Sequence, residues 1–436
     1  MKAVTAHIPS SLAIHGGPKV RDKLFPAHIT VGEEEKKLVC EVIDTGILSN
    51  YLGAWHENFM GGHYVKQCEA AWAKHFGAKH ALAVNSNTSG LIAAMGAIGI
   101  EPGDEVIVSP YSMSISAVAP IFYGAVPVFA DVEPDTFCLS VESIRSVITP
   151  RTKAILVVDL FGQPFDAVGI RALARQHNLK IIEDCAQAPG AMLNGEYAGL
   201  LGDIGVFSMN YHKHIHSGEG GIIVTNDDQI AERAALIRNH AESVVGPKGL
   251  EDISNMVGFN FRMTEIEAAI AQLQIGKLDG LLAERLDRVR LFEKKMAGFP
   301  ALTMPKVRDG AKHVYYVHAC LWNHETGINR DKFISAVKAE LPFFALREKE
   351  GVKLGFGYVR PLYLLPLFQK RIAFGRHGYP IADAWQNYAL GLCPNVEALH
   401  FRNIVTHEFI VPSMTEADID DVVSAFEKVW DARHSI

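Results

Sequence analysis

Lys213 lies in a segment whose composition could convert a surface charge into a nucleophile. Residues 207–221 read FSMNYHKHIHSGEGG, so the lysine stands between an apolar, strand-like run and a glycine-rich turn. Glycine lets the backbone come close to a neighbouring group. A lysine in desolvated surroundings has a lowered pKa, which frees its amine to attack a carbonyl. A solvated surface charge is the alternative for any single lysine, but this context favours a reactive amine.

Three histidines around the lysine raise the question of a metal site. His212, His214 and His216 alternate along the segment, and alternate side chains of an extended chain share one face. No carboxylate follows at a matching spacing, and the six cysteines are scattered without a C-x-x-C pair. The sequence therefore predicts no metal site and no disulfide framework, and it indicates reduced thiols.

Asp184 is a second candidate, because it ends the apolar run KIIED at residues 180–184. Open α/β sheets bind ligands at the carboxyl ends of their strands. A carboxylate at that position, followed by Cys185, Ala186 and Gln187, is well placed to face a crevice. A helix cap or a surface turn is the alternative for this segment taken alone.

The polar turn NSNTSG at residues 85–90 precedes a helical stretch. Backbone N–H groups and hydroxyls at a helix N-terminus form an anion site. The turn has neither a Walker A lysine nor a G-x-G-x-x-G pattern, so nucleotide binding is not indicated. Turn, carboxylate and amine together form the set that pyridoxal phosphate (PLP) requires: donors for its phosphate, an anion for its ring nitrogen and an amine for its aldehyde.

Between about residues 80 and 235 the sequence alternates short β-branched runs with helical stretches. This pattern predicts an α/β fold with a mostly parallel mixed sheet flanked by helices. The predicted strands are residues 81–84, 106–109, 126–129, 154–160, 180–184, 206–208 and 221–225.

A long helix over residues 264–282, opened by Thr264 with Glu267 three residues on, could link this lobe to a second one. We therefore expect a large PLP-binding domain with an N-terminal arm over residues 1–280. A smaller α+β domain over residues 281–436 would follow, closing with an amphipathic helix from about residue 415.

Bulk composition excludes several classes of partner. The 436 residues carry a net charge of −7 without a basic block, which argues against nucleic acid or an anionic membrane surface. No apolar run is long enough to span a bilayer, and residues 1–18 lack the layout of a signal peptide. These features predict a cytoplasmic protein that acts on small molecules.

Four motifs carry a family resemblance. They are EDCAQ at residues 183–187, the block from Phe207 to Gly221 that contains Lys213, GFNFRMT at residues 258–264, and RPLY at residues 360–363. With them the chain resembles, over nearly its whole length, the DegT/DnrJ/EryC1/StrS family of sugar aminotransferases, which are fold-type I PLP enzymes.

The resemblance implies roles for the residues around the ring of PLP. Lys213 would form the Schiff base and move the proton between the substrate carbon and the cofactor carbon. Asp184 would pair with the pyridine nitrogen and keep it protonated, and Gln187 would bond the ring hydroxyl.

The same resemblance implies how the phosphate is held. Ser208 and the turn at Asn87 and Thr88 would bind it, and Asn260 would reach the phosphate of the neighbouring subunit. The active unit would then be a homodimer with shared sites.

Three departures from the family pattern concern the substrate more than the cofactor. Met113 occupies the position at which the family usually stacks an aromatic ring on the cofactor, and a thioether covers a ring face differently. Asp159 stands where the family commonly has histidine. The histidines at 212, 214 and 216 are also unusual neighbours for the lysine.

The expected reaction is transfer of an amino group from glutamate or glutamine to a keto-sugar. The resemblance allows a nucleotide-linked keto-hexose, an inosose, or a keto-sugar acid such as an oxidised octulosonate, in lipopolysaccharide or antibiotic sugar biosynthesis. A PLP-dependent sugar dehydratase is one alternative, but such relatives replace the lysine by histidine. A non-catalytic regulator that binds PLP or a sugar is another, and it would tolerate loss of Lys213 or Asp184.

Overall fold

The structure, a computed structural model, describes residues 11–436. Residues 1–10, on which the prediction about a signal peptide partly rests, lie outside the described part of the chain. The helices are α1 (Glu33–Asp44), α2 (His63–Phe76), α3 (Asn87–Ala97), α4 (Ile115–Val118), α5 (Val141–Val147), α6 (Ala167–His177), α7 (Asp228–Arg238), α8 (Val245–Lys248), α9 (Glu265–Lys295), α10 (Arg330–Glu340), α11 (Pro366–Gln369), α12 (Pro394–Ala398) and α13 (Glu416–Asp431).

The strands form three sheets. They are β1 (His80–Val84), β2 (Glu105–Val108), β3 (Val126–Phe129), β4 (Thr152–Val158), β5 (Lys180–Asp184), β6 (Met192–Leu193), β7 (Glu196–Tyr197), β8 (Ile204–Ser208), β9 (Gly221–Thr225), β10 (Leu302–Thr303), β11 (Ala311–Lys312), β12 (His318–Trp322), β13 (Leu354–Phe356) and β14 (Ile404–His407). The seven-stranded sheet has the order β1-β9-β8-β5-β4-β2-β3. Its strands run parallel from β8 to β3, and β9 runs antiparallel to both of its neighbours.

This sheet confirms the predicted α/β fold. Its strands are apolar and buried over most of their lengths, as expected of a parallel sheet with both faces covered. The run predicted as a strand to residue 160 ends at Val158, because Leu160–Gly162 turns into a short 3-10 segment in which Phe161 has a φ of 61°.

Helix α3 brings its N-terminus to the carboxyl ends of the central strands. The helix begins at Asn87, four residues earlier than its apolar stretch suggests, because Ser86 caps it by accepting a hydrogen bond from the N–H of Ser89. Gly90 allows close contact with the sheet, since a Cβ there would lie 2.5 Å from a methyl group of Val206. The predicted polar turn is therefore the first turn of a buried helix.

The C-terminal part of the chain contains a four-stranded antiparallel sheet of order β10-β12-β14-β13. A hydrophobic core joins this sheet to α10, α13 and the second half of α9. Leu12 and Phe25 belong to the same core, so the N-terminal arm packs on the smaller unit. The helix predicted from residue 415 starts at Glu416 with Thr415 as its cap.

The predicted division at residue 280 falls inside α9, which runs unbroken from Glu265 to Lys295. Side chains of α9 up to Leu282 pack with the large sheet's core, and those from Val289 onward pack with the smaller unit. The stretch from Leu362 to Val396 returns to the large core, where the side-chain amide of Gln386 bonds both backbone groups of Phe129. The two-domain division stays a proposal, and its parts are discontinuous in sequence.

Within residues 11–436, no helix has both the length and the apolar character needed to cross a bilayer.

Candidate active site

Lys213 lies in the turn between β8 and β9, with its Nζ 4.4 Å from the centroid of the Tyr316 ring. Backbone hydrogen bonds close this turn: the N–H of Lys213 donates to Asn210, and that of Tyr211 donates to Gly218. Gly218 has a φ of 90°, which glycine adopts without strain. Desolvation lowers the pKa of the Lys213 amine to about 8, while the charges of Asp184 and Glu408 oppose that shift.

Asp184 ends β5 and is buried, as the position at a strand's carboxyl end predicts. Its Oδ1 accepts hydrogen bonds from the N–H of Ala186 at 3.1 Å and from Nδ2 of Asn87 at 3.3 Å. Its Oδ2 accepts from the hydroxyl of Ser116 at 2.9 Å. Burial raises the pKa of Asp184, and these donors together with the Lys213 charge oppose the rise.

The Asn87 side chain contacts Asp184 and strand β8. Its side-chain amide donates to Asp184 and, at 3.0 Å, to the carbonyl of Val206, so the amide faces the carboxylate. The helix's first intrahelical bond is donated by Gly90, so the N–H groups of Asn87 and Thr88 precede it and remain available to an anion. Phosphate binding at Asn87 and Thr88 stays a prediction.

Gly221 and Ser208 complete the wall beside that helix end. A Cβ on Gly221 would lie 2.5 Å from the carbonyl carbon of Ser86, so only glycine lets β9 pass under the turn. The Ser208 hydroxyl, at the end of β8, accepts a 3.3 Å bond from the N–H of Asn210, which leaves its own proton free to donate.

Gln187 is buried and oriented by two contacts. Its Oε1 accepts from the N–H of Phe161 at 2.6 Å, and its Nε2 donates to the hydroxyl of Tyr358 at 3.0 Å. One N–H of the amide therefore remains for the hydroxyl of a cofactor ring. Burial raises the pKa of Tyr358 to about 12, which keeps this phenol protonated.

Met113 and Asn260 lie at the surface of the described chain. Met113 is 58% exposed just before α4, the helix that carries Ser116 to Asp184, so its thioether is free to cover a ring. The Asn260 side chain accepts from Nε of Arg262 at 2.7 Å, and its carbonyl lies 3.5 Å from Nδ2 of Asn85. Asn260 thus stands at the rim of the turn that precedes α3, and its action in a partner's site stays a prediction.

The histidines near Lys213 do not converge. His212 accepts a 2.8 Å hydrogen bond from Arg347, His214 is buried beside the Tyr316 ring, and His216 accepts from the N–H of Gly218. The described residues hold two groups of three potential metal ligands, and neither includes these histidines.

Asp159 does not lie with the side chain of Asp184. It lies with Glu183, whose side chain points to the opposite face of β5 from that of Asp184. Burial and the Glu183 charge raise the pKa of Asp159 well above its ordinary value.

Sequence reasoning missed several residues in the surroundings of Lys213 and Gln187. They are Arg285 of α9, Tyr316, Tyr358 and Glu408. Arg285 is only 6% exposed, and its Nη1 donates to the carbonyl of Tyr315 at 3.1 Å. In the described chain no carboxylate forms an ion pair with Arg285, and its Nε has no hydrogen-bond partner. The helical spacing of Leu282, Arg285 and Val289 places this arginine on the buried face of α9, and that spacing could have identified it from the sequence.

Comparison with known proteins agrees with this geometry. The model of the DegT/DnrJ/EryC1/StrS aminotransferase family matches residues 54–427. GDP-perosamine synthase of Caulobacter vibrioides is 34% identical over 404 residues, which cover 91% of this chain and 95% of that protein. L-glutamine:2-deoxy-scyllo-inosose aminotransferase of Streptomyces paromomycinus is 30% identical and covers 96% of this chain and 97% of its own.

Solved structures show the same fold. An aminotransferase from Psychrobacter cryohalolentis superimposes with a TM-score of 0.78 at 27% identity, covering 94% of this chain and all of that one. DesI, solved in the presence of its TDP-sugar product, gives a TM-score of 0.79 at 25% identity over 98% of this chain and all of its own. The chain therefore belongs to the DegT/DnrJ/EryC1/StrS family and is an aminotransferase, for which the family implies PLP as cofactor.

Proposed function

We propose that this enzyme moves an amino group from glutamate or glutamine to a keto-sugar, with PLP in the cleft around Lys213. The observation that carries the proposal is the meeting of three groups at the carboxyl edge of the sheet. A desolvated amine, a buried carboxylate and the free N–H groups of the α3 N-terminus fit the aldehyde, the ring nitrogen and the phosphate of PLP.

Each residue then has a physical task. PLP, when bound, supplies a protonated ring that accepts the electron pair left by a departing α-proton. Asp184 holds the proton on the ring nitrogen, and Asn87 and Ser116 orient its two carboxylate oxygens. Lys213 would hold the cofactor through Nζ, and the same amine would move a proton to and from the substrate carbon.

The donor needs a cation for its carboxylates, and Arg285 supports such a site. The Glu408 charge stabilises the Arg285 cation, but no carboxylate of the described chain forms an ion pair with it and its Nε has no partner, so a substrate carboxylate would stabilise it further. Arg285 bonds the carbonyl of Tyr315, the neighbour of the Tyr316 ring on which Lys213 lies. We propose that this arginine recognises the amino-acid donor.

The acceptor side is polar, as a polyol requires. A cavity of about 390 Å³ is lined by Glu350, Lys353, Tyr358 and Glu408 among other residues, and their carboxylates, amine and phenol can bond sugar hydroxyls. Relatives include a UDP-N-acetyl-3-dehydro-alpha-D-glucosamine 3-aminotransferase of Acidithiobacillus ferrooxidans as well as the perosamine and inosose enzymes. Nucleotide-linked keto-hexoses, inososes and keto-sugar acids are therefore the acceptors to test.

We further propose a homodimer that acts in the cytoplasm, with Asn260 of each subunit at the partner's phosphate. Support for the compartment comes from the six cysteines, all of which are unpaired.

A regulatory role is the second candidate function, and one relative suggests it. A Pleiotropic regulatory protein of Geobacillus stearothermophilus is 33% identical over 365 residues, 83% of this chain and 90% of that protein. Retention of both Lys213 and Asp184 speaks against a regulator without turnover. Retention of Lys213 also disfavours the sugar dehydratase, whose relatives carry histidine there.

The proposal is tested by a half-reaction. Enzyme converted by glutamate to the pyridoxamine form is mixed with a panel of keto-sugars, and the return of the lysine-bound absorbance is recorded. Free glutamate and 2-oxoglutarate are removed first, and added 2-oxoglutarate serves as the positive control because it reverses the first half-reaction. Recovery with at least one keto-sugar supports the proposal. Conversion by glutamate with no response to any keto-sugar would contradict it.

A further inference from the structure

A second cluster of reactive side chains lies on the four-stranded sheet, on the face that packs against α9. His318 and Cys320 alternate along β12 and so share a face, and His407 pairs with His318 across from β14. All three are buried, and one ligand atom from each lies within 4.8 Å of the other two. The ring of Phe292 from α9 closes the cluster, with its centroid 4.8 Å from that of His407.

The separation of two of these atoms matches that of ligands on one metal ion. Cys320 Sγ and His318 Nδ1 are 3.5 Å apart. A tetrahedral zinc ion with bonds of about 2.3 Å to sulfur and about 2.0–2.1 Å to nitrogen places these ligand atoms about 3.5 Å apart. No rearrangement of this pair is required.

Glu293 of α9 supplies the outer partner that a metal-binding histidine usually has. Its Oε1 lies 3.1 Å from Nε2 of His318. A proton held on Nε2 by this carboxylate leaves the lone pair of Nδ1 directed at Cys320. Glu293 therefore lies on one side of the His318 ring, and the proposed ion would lie on the other side, next to Cys320.

His407 is the side chain that packing alone leaves unexplained. Neither of its ring nitrogens has a hydrogen-bond partner among residues 11–436, although the residue is 3% exposed. Buried imidazoles are rarely left without any partner. The Cys320 thiol can donate a hydrogen bond to His318 without an ion, but this contact leaves both ring nitrogens of His407 without a partner.

We propose that His318, Cys320 and His407 bind a thiophilic transition-metal ion, with Zn²⁺ as the ion of choice. Thiolate and imidazole ligands favour zinc or copper over magnesium and calcium. Met304, whose Sδ is 3.9 Å from Cys320 Sγ, would supply the fourth donor that a tetrahedral ion needs, and its thioether binds copper more readily than zinc. The ion ties β12 to β14, and on binding it displaces the thiol proton to solvent. This structural site goes beyond transamination, and His407 also belongs to the lining of the cavity assigned to the acceptor.

The test is a Co²⁺ titration of the PLP-loaded enzyme, followed by visible d–d bands at wavelengths beyond the cofactor's absorption. Wild-type enzyme should bind about one Co²⁺ per chain with tetrahedral bands, and Zn²⁺ should displace it. Cys320→Ser and His407→Asn should each weaken binding at least about tenfold. Cys138→Ser, which alters another buried thiol, should bind as wild type does. Equal binding by Cys320→Ser and wild type, or none by wild type, would overturn the proposal.

A second measurement needs no variant and therefore does not depend on their folding. X-ray absorption of zinc-loaded wild type should show one sulfur at about 2.3 Å and nitrogens at about 2.0–2.1 Å. A spectrum fitted by nitrogen and oxygen ligands alone, without sulfur, would reject the site. If the wild-type enzyme transfers amino groups but binds no metal, only the metal site is rejected. If it binds metal but transfers no amino group, only the proposed function is rejected.

Discussion

Capture of PLP by the apoenzyme should depend on pH through the amine of Lys213. Desolvation lowers the pKa of this amine from 10.5 to about 8. About one tenth of the amine is then uncharged at pH 7, whereas an unshifted amine would be uncharged to only about 0.03%. Burial in the cleft therefore raises the uncharged fraction of the amine about 300-fold at pH 7. Glu408 is one of the charges that raise this pKa, so Glu408→Gln should move the profile to lower pH.

The assay mixes apoenzyme rapidly with PLP and records the rate of covalent capture from pH 6 to 11. The rate should rise with pH to a midpoint at about 8. N-acetyl-lysine under the same conditions serves as the solvated reference amine, and Lys213→Ala should show no covalent phase. A wild-type midpoint near that of the reference amine would refute the assignment of a desolvated lysine.

Three further variants address the other groups. Asp184→Asn should lower kcat about 100- to 1000-fold with little change in donor KM, because the amide cannot hold the ring-nitrogen proton; near-normal kcat with bound PLP would remove that role. Arg285→Gln should raise the KM for glutamate at least about tenfold and leave acceptor KM nearly unchanged, as steady-state kinetics would show, and an unchanged glutamate KM would exclude it as the donor's cation. Asn260→Asp and Lys213→Ala subunits, each nearly inactive, should regain about a quarter of wild-type activity when refolded together, because half of the dimers are mixed and each has one intact site. Mixed dimers without activity would count against shared sites.

The sequence predicted the parts of the site that follow from strand ends and local turns. Asp184 ends an apolar run, and Lys213 precedes a glycine turn, so their positions depend on nearby residues only. The parallel sheet then brings both to one edge, as its alternating pattern indicates. The start of the long helix was also predicted from its cap at Thr264, but the helix continues to Lys295, 13 residues beyond the predicted end at residue 282.

Long-range contacts account for what the sequence did not predict. Asn87 bonds Asp184, which lies 97 residues away, and no local pattern reports such a pairing. Arg285, Tyr316 and Glu408 reach the cleft only because the second half of the chain folds back over the large sheet. The proposed boundary near residue 280 falls inside α9, which packs with both cores.

The identity of the lysine that holds PLP tests the proposed function most directly. Borohydride treatment of the holoenzyme fixes the cofactor to its amine, and peptide mass spectrometry then locates it. Label is expected on the peptide that contains Lys213, at about one per chain, and it should be lost if glutamate is added before the reductant. Label on any other lysine, or no label on an enzyme that turns over, would contradict the proposed function.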